Sequence, residues 1–159
     1  EPEERMFHNR TLEDWEKVMA VNVTGVMLTN QMAIKHMLAK GNAGSIVNIA
    51  SIAGRRPLPG ASDYCVSKAA VIMLTQTVAT EYSTSNIRIN AIGPGFIETP
   101  MTANIRQSPE WMDTVMQMTP MQRMGQANEI ASTALFLASD ESSYFTGQTL
   151  FPNGGMFTG

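Results

Sequence analysis

Several things are scarce in this sequence, and each scarcity narrows what the chain can be. Its 159 residues hold one cysteine, Cys65, so no internal disulfide can form, which fits a reducing cytoplasm. Beside Tyr64, Cys65 reads as a small buried hydrophobe rather than a redox centre. Basic clusters are missing and the formal net charge is −3, which argues against nucleic acid as a partner. No apolar run approaches the length of a membrane span, so no membrane partner is expected. The acidic opening Glu1-Pro-Glu-Glu-Arg5 does not read as a signal peptide. Only two histidines occur, His8 and His36; neither has metal-ligand companions at useful spacing, so both read as surface residues and no metal is expected. What remains is an ordinary globular composition, long enough for a single domain (residues 1–159) with a core.

Residues 1–10 read as a polar loop. Thr11-Leu-Glu-Asp14 is a helix start, a hydroxyl cap with an acid three residues on. Leu12, Trp15, Val18, Met19, Val23, Val26 and Met27 recur at helical spacing, and Gly41 is a natural stop. Val21-Asn-Val-Thr24, in mid-run, is poor in helix propensity and predicts a bend or two abutting helices. Ser45–Ala50 is β-rich and apolar on both faces except for Asn48, as suits a parallel strand covered on both sides. Ile87–Ile92 is a second strand, closed by Gly93-Pro94-Gly95, whose glycines permit close backbone approach to a flat ligand. Thr146–Gly155 supplies a third. The helix from Ser62 to about Ser83 is apolar nearly all round, more than one sheet face would cover, which predicts a second subunit against it. Arg55 and Arg56 read as a solvated loop, with contact to an anionic substrate tail as the alternative. Many of the thirteen methionines fall between residues 101 and 124, a stretch cut short by Pro100, Pro109 and Pro120.

Chemistry concentrates between Ser51 and Lys68. Serine closes the first strand, a Gly/Pro loop follows, and a helix opens with Tyr64 and Lys68 four apart, on one face. A free tyrosine titrates too high to serve as a base at neutrality. A fixed ammonium nearby favours the phenolate, the condition for a general acid/base near neutral pH. Ser51, at the strand end, is placed to hydrogen-bond the same reacting oxygen.

Ser51, Tyr64 and Lys68 resemble the active-site pattern of the short-chain dehydrogenase/reductase family. Asn22, in Val21-Asn-Val-Thr-Gly25, matches the family's fourth catalytic position, and Asn90-Ala-Ile-Gly-Pro-Gly-Phe-Ile-Glu-Thr-Pro100 its nicotinamide-side loop. The resemblance runs from about Thr11 to Gly155. It implies an α/β fold, the second half of a Rossmann-type doubly wound parallel sheet, with three strands and flanking helices. It implies a cytoplasmic NAD- or NADP-dependent oxidoreductase interconverting a secondary alcohol and a ketone on a small-molecule substrate. Tyr64 would be the proton donor or acceptor. Lys68 would lower its pKa and hold the nicotinamide ribose, and Ser51 would polarise the reacting oxygen. Asn22 would hold a water linking the lysine to solvent. Cofactor contacts fall on Tyr64, Lys68, Pro94, Gly95, Ile97 and Thr99, and residues 101–124 correspond to a substrate lid. Sugar (glucose-type) dehydrogenase and 3-oxoacyl-carrier-protein reductase are both candidate activities. A homodimer or homotetramer through residues 11–40 and 62–83 is expected.

Two departures qualify the resemblance. Asn153 stands where the family usually has an acid before its last two glycines. The glycine-rich strand–helix turn that grips pyrophosphate, and the residue that reads the ribose 2′ position, are absent, which leaves NAD and NADP both open. The resemblance therefore implies a catalytic portion without its adenine-gripping half. Expressed alone, such a portion is expected to be poorly soluble or partly disordered, and to bind neither NAD nor NADP measurably. The rival expectation is a non-catalytic interaction module.

Overall fold

The computed structural model describes residues 3–158. Two one-turn 3-10 helices, Glu3–Arg5 and Phe7–Asn9, replace the expected polar loop. Helix α1 (Leu12–Met19) is capped as its sequence predicts: the Thr11 hydroxyl accepts the Asp14 N–H at 3.1 Å and donates to the Asp14 carboxylate at 2.7 Å. Of the bend or two abutting helices expected here, the structure has the latter: α1 runs through a π turn over Ala20–Thr24, the Gly25 N–H reaching back to the Ala20 carbonyl, into α2 (Gly25–Lys40). A π turn absorbs a poorly helical stretch without breaking the backbone hydrogen bonds, and such turns recur at functional sites. Gly41 (φ 64°) ends α2 in the left-handed region that glycine tolerates.

Strands β1 (Gly44–Ile49) and β2 (Ile87–Ile92) pair in parallel along their whole length, Gly44 opposite Ile87 and Ile49 opposite Ile92. Between them runs α3 (Ser62–Tyr82). After α4 (Ala103–Gln107), α5 (Pro109–Met118) and α6 (Ala127–Ala138), β3 (Thr149–Leu150) adds to β2, giving the order β1-β2-β3. The third strand is far shorter than Thr146–Gly155. Gly147 (φ 70°) turns the chain in beside β2 and Pro152 lacks an N–H, so regular pairing is brief. The segment still follows β2: Ala91, Gly93 and Gly95 donate in turn to the carbonyls of Gln148, Leu150 and Pro152 at 2.8, 2.7 and 3.1 Å.

Both faces of the sheet are covered, as the two-sided apolar strands require. On one face Ile34 of α2 and Ala79 of α3 enclose Ile87 and Ile89, while Ala50, Val71, Ile72 and Ala91 form a second cluster nearer the carboxyl ends. On the other lies α6, whose Leu137 carbonyl takes hydrogen bonds from Ser45 (2.7 Å) and Arg88 (3.1 Å). Asn48, the polar exception in β1, is buried but satisfied: it exchanges hydrogen bonds with Asn30 of α2 (2.8 and 3.1 Å) and donates to Thr75 of α3 (3.0 Å). That triad ties both helices to the strand, as a buried amide must be tied. Pro100 and Pro109 each occupy an opening position of a short helix, where a missing N–H is harmless. The methionine-rich stretch is thus broken into pieces, with Met124 buried and Met101 exposed.

Candidate active site

Ser51, Tyr64 and Lys68 meet at the carboxyl end of the sheet, where open parallel sheets hold their ligands. Ser51 is buried just past β1, and its Oγ accepts the Ala53 N–H at 3.1 Å to cap the 3-10 turn Ile52–Gly54. Its own O–H has no acceptor among the described residues. That turn lies against α3: a Cβ on Gly54 would come within 2.8 Å of the Lys68 carbonyl. The Lys68 ammonium donates to the Ile49 carbonyl, at the last residue of β1, at 3.0 Å, and stands 5.6 Å from the centre of the Tyr64 ring. Burial lowers the Lys68 pKa from its ordinary value, because the charged form loses water. Lysine therefore lies over the ring face, and two of its N–H donors remain uncommitted.

Asn22, in the π turn, reaches this group through a residue that sequence reasoning passed over. Its Nδ2 donates to Ser67 Oγ at 3.0 Å, and Ser67 Oγ donates to the Tyr64 carbonyl at 2.8 Å. Ser67 is fully buried. Its position three residues after Tyr64 was the available signal, since a helical serine commonly bonds back one turn. Two more residues were missed. Asp63 accepts the Tyr64 N–H at 2.9 Å, and Arg10 lies 3.4 Å from the Asp63 carboxylate. No local pattern marks Arg10.

The loop after β2 is fastened to Ser51's loop, the Ile52 N–H donating to the Pro94 carbonyl at 3.1 Å. Its glycines serve neighbours within the chain. A Cβ on Gly93 would strike the Phe151 ring at 2.4 Å and one on Gly95 the Asn153 backbone at 2.8 Å, so close packing within the chain by itself already demands glycine here. Ile97 pairs with Gly125. Its carbonyl accepts the Thr102 hydroxyl at 2.7 Å, while its N–H takes part in no hydrogen bond of the described residues. Thr99 opens the turn Pro100–Thr102, its N–H donating to Thr102 Oγ1 at 3.1 Å. Asn153 closes the final turn, accepting the Gly155 N–H at 2.8 Å and donating to the Phe157 carbonyl at 3.0 Å.

Other expectations are modified. Arg55 is exposed, but Arg56 is half-buried and donates to the Met156 carbonyl at 2.9 Å, holding the C-terminal segment rather than forming a solvated loop. Cys65 is half-buried rather than buried. His8 and His36 are exposed, and the described residues contain no metal-binding cluster. Among them no helix is long and apolar enough to cross a membrane. A large cavity, about 760 Å³, lies at the opposite end of the sheet beside Gly44, Ile87 and Thr146. Among the described residues that line it, the one cation, Arg88, is occupied by the carbonyls of Leu137, Ser139 and Ser142, and none of the candidate catalytic side chains faces it.

Comparisons with known proteins point the same way. A family model described as enoyl-(acyl carrier protein) reductase matches residues 1–157. The 3-oxoacyl-(acyl-carrier-protein) reductase of Thermotoga maritima is 46% identical over 144 residues, covering 91% of this chain and 57% of that protein. Human (3R)-3-hydroxyacyl-CoA dehydrogenase is 43% identical over 145 residues, covering 91% and 55%. This chain thus spans little more than half the length of these curated relatives. Among solved structures, a gluconate 5-dehydrogenase from Burkholderia cenocepacia in complex with NADP and tartrate superposes with a TM-score of 0.91 at 34% identity, covering 95% of this chain and 59% of that one. A 4-hydroxyisoleucine dehydrogenase complexed with NADH gives 0.91 at 30%, covering 94% and 61%.

Proposed function

Given that the chain belongs to the short-chain dehydrogenase/reductase family, we propose that it serves a nicotinamide-dependent oxidoreductase that interconverts a secondary alcohol and a ketone. The observation that carries this is the Lys68 ammonium, 5.6 Å from the Tyr64 ring centre, at the strand end that also presents the free Ser51 hydroxyl. In the oxidative direction Tyr64, as phenolate, takes the alcohol proton; in the reductive direction its O–H returns that proton to the carbonyl oxygen. Lys68 stabilises the phenolate charge. Ser51 donates a hydrogen bond to the reacting oxygen and so favours the polarised carbonyl. Asn22, tethered through Ser67, lies beside the first turn of α3 and completes the proton path to solvent.

The cofactor, NAD or NADP, supplies or accepts the hydride when bound. Residues present fit its nicotinamide end: the uncommitted Lys68 donors and the Tyr64 hydroxyl suit a ribose diol, and the free Ile97 N–H suits a carboxamide oxygen. Pro94, Gly95 and Thr99 line the same loop. A 3-oxoacyl thioester is the first substrate to test, because the Thermotoga relative named for that activity is 46% identical; a sugar acid is the second.

Tyr64→Phe in the full-length protein removes the hydroxyl and keeps the ring. Followed by nicotinamide absorbance on both substrates, its turnover should fall by on the order of 10²–10⁴ with the fold intact. A variant within a fewfold of wild type overturns the assignment. A non-catalytic interaction module would show neither cofactor binding nor turnover in the wild type.

A further inference from the structure

We propose that half-buried Arg10 and buried Asp63 form an ionic clamp that positions Tyr64 for proton transfer; this rests on Tyr64 being the proton-transfer residue. Tyr64 sits in the first turn of α3, where helices leave N–H groups unpaired and fray most easily. The usual remedy is missing, because the capping position is Ala61 (φ −133°, ψ 40°), which has no side-chain acceptor. Asp63 supplies one from inside the helix, its Oδ1 accepting the Tyr64 N–H at 2.9 Å. A carboxylate there also suits the positive end of the helix dipole.

The Asp63 side chain is only 6% exposed, and a charge so enclosed requires a partner. Arg10 provides it from the segment leading into α1. Its Nη1 lies 3.4 Å from Asp63 Oδ2, and its Nη2 donates to the Gly60 carbonyl at 2.7 Å. Gly60, at φ 77°, is where the loop from Ser51 turns into α3. One guanidinium therefore holds both the end of that loop and the acid beside Tyr64. On the far side the Ser67 hydroxyl holds the Tyr64 carbonyl at 2.8 Å. Both backbone groups of Tyr64 are thus fixed by side chains, one by Asp63 and one by Ser67.

Stability alone explains the pair poorly, since apolar residues of similar volume commonly replace a buried ion pair without loss. Placement explains it better, because a displacement of about 1 Å in a reacting group can lower a rate on the order of 10²-fold. Arg10 and Asp63 are accordingly positioning residues, with no contact to substrate required.

The decisive variant is the double Arg10→Met/Asp63→Leu in the full-length protein, which removes both charges together and leaves neither buried alone. Arg10→Met by itself strands a buried carboxylate and is expected to fold poorly. For the double variant we expect a melting temperature near wild type, substrate KM unchanged, and kcat lower by about 10-fold to 100-fold. In the cofactor-free protein the Tyr64 amide should exchange faster with solvent. Arg10→Lys, which keeps the charge, should recover much of the lost kcat relative to the double variant. Wild-type kcat in a stably folded double variant overturns the proposal, as does unchanged Tyr64 amide exchange. If Tyr64→Phe is itself active, the clamp loses its purpose along with the functional assignment; if Tyr64→Phe is inactive while the double variant is fully active, the clamp alone is refuted.

Discussion

Replacing Lys68 with methionine separates what the ammonium does for chemistry from what it does to stability. The charge stands 5.6 Å from the Tyr64 ring centre. Two unit charges at that distance interact by about 3 kcal/mol at an effective dielectric near 20, and by under about 1 kcal/mol in bulk water. Lys68 is part-exposed, so its support for the phenolate falls between these limits. Without that ammonium the activity profile of Lys68→Met should move upward in pH. The assay is kcat/KM for alcohol oxidation against pH, with saturating nicotinamide cofactor. An unmoved profile refutes the electrostatic pairing of Lys68 with Tyr64. Stability carries the opposite sign. Burial lowers the Lys68 pKa from 10.5, so between its folded value and 10.5 the unfolded chain binds the extra proton. Wild-type stability should therefore rise with pH through that window, and the rise should be missing in Lys68→Met. The Lys68 hydrogen bond to the Ile49 carbonyl at 3.0 Å is lost as well. The comparison is therefore one of slopes against pH rather than of absolute stability.

Ser67→Ala removes the hydroxyl that joins Asn22 to Tyr64. Asn22 is half-buried and water can replace the lost partner, so the change should cost about 1 kcal/mol, a fall of ~2–4 °C in melting temperature for a full-length domain, with turnover reduced severalfold; normal turnover would show that Asn22 needs no tether. Glu129 takes hydrogen bonds from both Arg123 nitrogens (2.9 and 2.6 Å) and from the Gln126 N–H (2.7 Å), which hold its pKa down at about 2. Its contribution to stability should be complete above its ordinary value of 4.5 and disappear as pH falls through about 2. Carboxyl-carbon NMR should find that titration and Arg123→Gln should raise it; a wild-type midpoint near 4.5 contradicts the pairing. Val21, Met32 and Met73 are 72%, 71% and 61% exposed along the two long helical runs, so sedimentation of the full-length protein should give a dimer or tetramer, and a monomer at micromolar concentration rules that out.

Much of the fold was legible because it follows from short-range chemistry. Thr11 and Asp14 are three residues apart and cap α1 wherever the helix is placed. Gly41 stops α2 because a left-handed residue there suits glycine. β1 and β2 begin and end close to where their runs of β-branched residues do. Tyr64 and Lys68 share a face because helical spacing puts them there, and Ser51 stands at a strand end because the apolar run stops before it. Tertiary structure decided the rest, through residues far apart in the chain. Poor helix propensity at Val21–Thr24 predicts a disturbance, but its resolution as a π turn that aims Asn22 at Ser67 depends on α3 lying alongside. Thr146–Gly155 has strand-like composition, yet only Thr149–Leu150 pairs regularly, because Gly147 and Pro152 limit how the segment meets β2. Gly93 and Gly95 read locally as a strand-end turn, but that Phe151 and Asn153 leave no room for a Cβ at either is decided by packing. Arg10 lies in a segment without pattern, and its value rests on Asp63 and Gly60, at least fifty residues away in sequence. Local patterns are set by neighbours a few residues off. Which buried charge meets which is set by packing, and that information is distributed over the whole chain.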